Sequence, residues 1–192
     1  DRKLSVTSAS CGDLPAPTED ANVAESGLGA WVDDQLDEDA VSCDLATTQR
    51  FYELFNDVIV AAFMCDTSRI ATVHGTETFS SACNYNAWHQ NVAHVANGDE
   101  LKQAKLAAAN PWFFEHVWLD LVTKLQAVTT TSGTLLDESL VWWTQESGVL
   151  THEADSLPIV AAGGAGGFFK TGRYYDYRNR ESMSLLPPWV EA

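Results

Sequence analysis

Apolar residues recur at helical spacing in two stretches of the chain. In the first, Phe51, Leu54, Phe55, Val58 and Ala62 fall on one face when successive residues advance by about 100°. Asp44 stands where a helix cap belongs, so the pattern predicts a helix from residue 45 onward. In the second, Asn110-Pro111 supplies cap and first-turn chemistry. Phe114, Val117, Trp118, Leu121, Val122 and Leu125 then form the expected buried stripe. Elsewhere the apolar residues gather into short continuous runs. "RIATVHG" (69–75), "LVWWTQES" (140–147) and "LPIVAAGG" (157–164) read as buried strands bounded by turn residues. "FFKTGRYYDYRNR" (168–180) reads as a short hairpin or meander.

Strands of continuous apolar character alternating with helices predict an α/β fold with a mainly parallel sheet and flanking helices. Two stretches fall outside this pattern. Residues 5–44 are rich in Ser, Ala, Pro, Gly and acids and read as an irregular segment, with "WVDDQLDEDAVSCD" adding at most a short helix. Residues 76–100 are polar, aromatic and nearly unpatterned, which predicts a long loop of the kind that tends to carry function. The expected organisation is therefore an acidic, irregular, disulfide-tied segment over 1–44 and an α/β domain over 45–192. No internal repeat is present.

Charge narrows the range of partners. The chain of 192 residues has 27 acidic and 11 basic residues, a net charge of −16. Residues 1–44 alone carry 11 carboxylates against Arg2 and Lys3. A phosphate backbone needs clustered Lys and Arg, so nucleic acid is excluded as a partner. No apolar run approaches the roughly 20 residues of a membrane-spanning helix. The start at Asp1-Arg2-Lys3-Leu4 shows neither an initiator Met nor a signal peptide, and is read as that of a processed chain or a piece of a longer precursor. The acidic balance suits a secreted protein or one living in salt.

Cys11, Cys43, Cys65 and Cys83 contain no CxxC pair, which argues against a zinc cluster or thioredoxin-type chemistry. In an exported chain they would form two disulfides, Cys11–Cys43 with Cys65–Cys83 being the local pairing. Buried thiols in a reducing compartment are the alternative, and spacing alone does not choose the connectivity.

In parallel sheets, ligands collect beyond the carboxyl ends of strands, where His74, Glu146 and His152 fall. A carboxylate and an imidazole there suit Zn²⁺ or a similar divalent ion, against the plainer reading of a solvated Glu146 and a turn-capping His152. Asp66 and Arg69 are expected to form a local cap or ion pair. His116 lies off the stripe and is expected to face solvent. "GGAGG" (163–167) lacks GxGxxG spacing and opens no helix, so a close backbone approach or a mobile turn explains it better than a nucleotide loop. Trp112, Trp118, Trp142 and Trp143 are expected in the core, with an aromatic platform as the sharper alternative.

"FNDVIVAAFMCDTSRIATV", "WHQNVAH" and "GTLLDESLVWWTQESGVLTHEADSLPIVAAGGAGGFFKTGRYYDYR" follow one another in an order and spacing that resemble an exported bacterial domain-of-unknown-function family, the one numbered fifteen fifty-two. That family belongs to the alkaline phosphatase-like clan with the sulfatases. The resemblance covers about residues 45–178. It implies the carboxy-terminal half of an α/β sandwich, with Glu146 and His152 as metal ligands. It also implies a role for His89 and His94, at places where the family has paired histidines; here Trp88 and Ala93 replace their partners. Five residues apart on a helix, these two imidazoles would point about 140° apart, so shared ligation requires a loop.

The catalytic nucleophile would lie upstream of Asp1. The implied activity is metal-dependent hydrolysis of a phosphate or sulfate ester, performed when this chain is joined to its amino-terminal half. The alternative is a non-catalytic extracellular structural or binding protein that keeps the fold with a decayed metal site. Both readings place the chain outside the cytoplasm, secreted or periplasmic. Both call for a partner, either the missing half, another subunit or a second copy, because half a sandwich exposes a strand edge.

Overall fold

A computed structural model describes Asp20 and His94 and residues 45–73, 98–145 and 156–176. About 53% of these residues are helical. In chain order the elements are α1 (Leu45–Met64), α2 (Glu100–Phe113), a π-helical turn (Phe114–Leu119), α3 (Asp120–Ala127), α4 (Leu135–Glu138), β1 (Val141–Thr144) and β2 (Ile159–Ala162). The chain divides between two compact units, the division falling between Leu121 and Val122.

In the first unit α1 packs on the π-turn. Its buried residues are Thr48, Tyr52, Asn56, Ile59 and Val60. This is a different face from the one the periodicity predicts: Phe55 and Val58 are 42% and 48% exposed. At about 100° per residue, α1 is apolar over two adjoining sectors, and Gln49, Arg50, Glu53 and Asp57 occupy the opposite side. A pattern of that kind does not say which sector is inside. Polar groups decide it here. The Asn56 side-chain amide donates to the Val117 carbonyl and to Asp120 Oδ2, both at 2.9 Å. Tyr52 meets Phe113 edge to face, ring centroids 5.2 Å apart.

The second helix begins eleven residues earlier than its cap signal at Asn110 suggests. Asp99, in extended conformation, caps it by accepting from the amides of Leu101 and Lys102. Alanine, lysine and glutamine between residues 101 and 109 have high helix propensity but little periodicity, so they resemble loop to a hydrophobicity pattern. Pro111 consequently lies inside the helix, where its ring removes one backbone donor. Three residues on, the backbone widens into the π-turn, with Val117 and Trp118 buried. Phe114 stacks on Trp118 at 4.7 Å.

The expected strand at 69–75 does not form over its described part. Asp66 takes a positive φ of 51°, Ser68 bonds the carbonyl of Ile70, and Ile70 stands 84% exposed. His74, which closed that reading, lies outside the described residues.

The second unit corrects the fold class. β1 and β2 occupy two of the three segments expected to be buried strands, but they pair antiparallel, with Val141 opposite Ala162 and Thr144 opposite Ile159. Among the described residues this is a two-stranded sheet, not the mainly parallel sheet of an α/β sandwich. Continuous apolar runs suggest strands covered on both faces. Trp142, however, is 66% exposed, and β1 half-buries only alternate positions, Val141 and Trp143.

Ahead of the sheet, Leu125 and Leu135 are fully buried. The amide of Leu135 donates to the Val128 carbonyl, closing the 129–134 turn. The glycine-rich segment then folds over the end of α4. Amides of Ala165 and Gly166 donate to the carbonyls of Ser139 and Asp137 at 2.9 and 2.8 Å. Gly163, Ala165, Gly166 and Gly167 all take positive φ. A Cβ on Gly163 would lie 2.6 Å from the Leu136 carbonyl oxygen and would also collide with that of Ser139. This is a close backbone approach that glycine alone accommodates.

Candidate functional site

The residues on which the sequence reading places chemistry fall mostly outside the described part. Glu146, His152 and His89 do so, as do Cys11, Cys43 and Cys83. In sequence, Glu146 and His152 belong to the connection 145–158, whose two ends are brought together by the Thr144–Ile159 pairing. His94 is described and exposed. Among the described residues no group of three or more His, Cys, Asp or Glu side chains could hold a metal ion. Cys65 follows α1 immediately and is in a disulfide. His116 is half-buried against the ring of Trp112, centroids 5.1 Å apart, rather than facing solvent.

Asp66 and Arg69 form the local ion pair expected of them, bidentate at 2.7 and 3.0 Å. It holds the Arg69 guanidinium above its ordinary range. It braces the turn after α1, not a strand. At the other end of α1, Arg50 bonds Glu53 and Asp20 at 3.2 and 3.3 Å, and those bonds raise its pKa in the same way.

Four features remain to be weighed as sites. The first is the polar node of the π-turn. Asn56 donates both its protons there, while its Oδ1 and the indole nitrogen of Trp118 are buried with no hydrogen-bond partner. π-turns often accompany function, but this one is closed by packing.

The second is the turn before α4. Glu138 accepts from the hydroxyls of Thr130, at 2.6 Å, and Ser132. Thr134 and Asp137 form a reciprocal capping box, in which the carboxylate accepts from the Thr134 amide and hydroxyl at 2.8 Å. The hydroxyl bond first, then the amide bond, hold the Asp137 carboxyl below its usual range. Every acid in this cluster is committed to shaping the turn. The signal for this capping box is Thr134-Leu-Leu-Asp137, an apolar pair between the two capping residues.

The third is the glycine segment. Its amides could have formed an anion-binding nest, but those of residues 165–167 and 169 donate to backbone carbonyls. The fourth is surface. The unused apolar sector of α1 and the Trp142 face of β1 expose large hydrophobic side chains.

Compared with protein families, curated proteins and solved structures, the chain matches none. The family resemblance therefore rests on the residues quoted for it.

Proposed function

We propose that this chain is a non-catalytic, exported structural or binding protein, the second of the two readings that the sequence allows. One observation carries the choice. The implied hydrolase site belongs at the carboxyl ends of parallel strands, whereas the two strands preceding and following Glu146 and His152 run antiparallel. The features that are built instead are a disulfide at Cys65, a strongly acidic composition and exposed apolar surface. Contiguous exposed apolar surface on a charged protein is a mark of interaction surfaces.

The test is enzymatic and analytical together. The purified chain is assayed with aryl phosphate and aryl sulfate esters in the presence of zinc, magnesium or manganese, alongside Glu146→Ala and His152→Ala. Its metal content is measured after purification without chelator. The expected result is equal, background turnover in all three proteins and no stoichiometric metal. Turnover abolished by His152→Ala, or about one divalent ion per chain that this substitution removes, would overturn the reading in favour of a metal-dependent hydrolase.

A further inference from the structure

We draw no further inference here: the strongest candidate, the apolar ridge of α1 on which Phe55 and Val58 stand exposed beside Phe51, carries nothing because nothing in the structure shows what covers it.

Discussion

Gly163 turns the chain at φ +91°, with the carbonyls of Leu136 and Ser139 where a side chain would be. Gly163→Ala should therefore lower stability by more than about 2 kcal/mol, combining a forced positive φ with a backbone collision. Two residues on, Ala165 holds φ +46° with a Cβ. Ala165→Gly should raise stability by about 1 kcal/mol, since the left-handed region costs L-residues about that much. Chemical denaturation of the two variants reads both signs. Asp137 offers a pH signature. Its carboxyl pKa is lowered in the folded chain by the bonds from Thr134, so it stabilises the fold above the unfolded value near about 4 and loses that contribution as pH falls through the folded value. Asp137→Asn should thus be less stable than the parent at neutral pH, and the two denaturation curves should converge in acid. A constant gap down to the acid limit would mean that the carboxylate is not the group responsible. Of these positions, the glycines were legible as a close approach or a mobile turn, and the hydrogen bonds to Asp137 and Ser139 decide for the close approach. Ala165 was not, since alanine announces nothing about φ.

The π-turn is the element on which α1 sits. Asn56→Ala removes two hydrogen bonds from a fully buried side chain and leaves Asp120 Oδ2 without that donor, which should cost about 2–3 kcal/mol in denaturant unfolding. A cost below about 0.5 kcal/mol would show the node to be solvated and unimportant. Helices were the more readable elements here. The run of Val117, Trp118, Val122 and Leu125 is buried, with Phe114 and Leu121 half-buried beside it. What escaped the sequence was the start of α2, because propensity without periodicity carries no hydrophobic signal, and the orientation of α1, because two apolar sectors are equivalent to a pattern. Strand positions 141–144 and 159–162 were readable as apolar runs, but strand direction was not. An apolar run states that a segment is partly covered and leaves open which neighbour covers it or which way that neighbour points. The candidate ligands inherited that gap: Glu146 and His152 acquired their meaning from parallel strands.

For the molecule as a whole, charge is the property that composition states outright. At −16 the folded chain repels itself, and raising salt shortens the range of that repulsion from about 30 Å at 0.01 M to about 8 Å at 0.15 M. The thermal midpoint should accordingly rise over this interval, and a midpoint that falls would point to ion pairs as the dominant electrostatic contribution. Cys65, being in a disulfide, should resist alkylation until reductant is added. The two apolar sectors of α1 raise a different matter, uniqueness. A helix with two buryable faces has two rotations of comparable hydrophobic gain, and hydrophobicity alone would leave the first unit divided between them. Only one rotation brings Asn56 to Val117 and Asp120. The buried amide thus works as a key, as single polar residues do when they set register between helices. Asn56→Leu should keep the helical content while multiplying or broadening the amide resonances of α1, giving a chain that is folded yet no longer folded in one way.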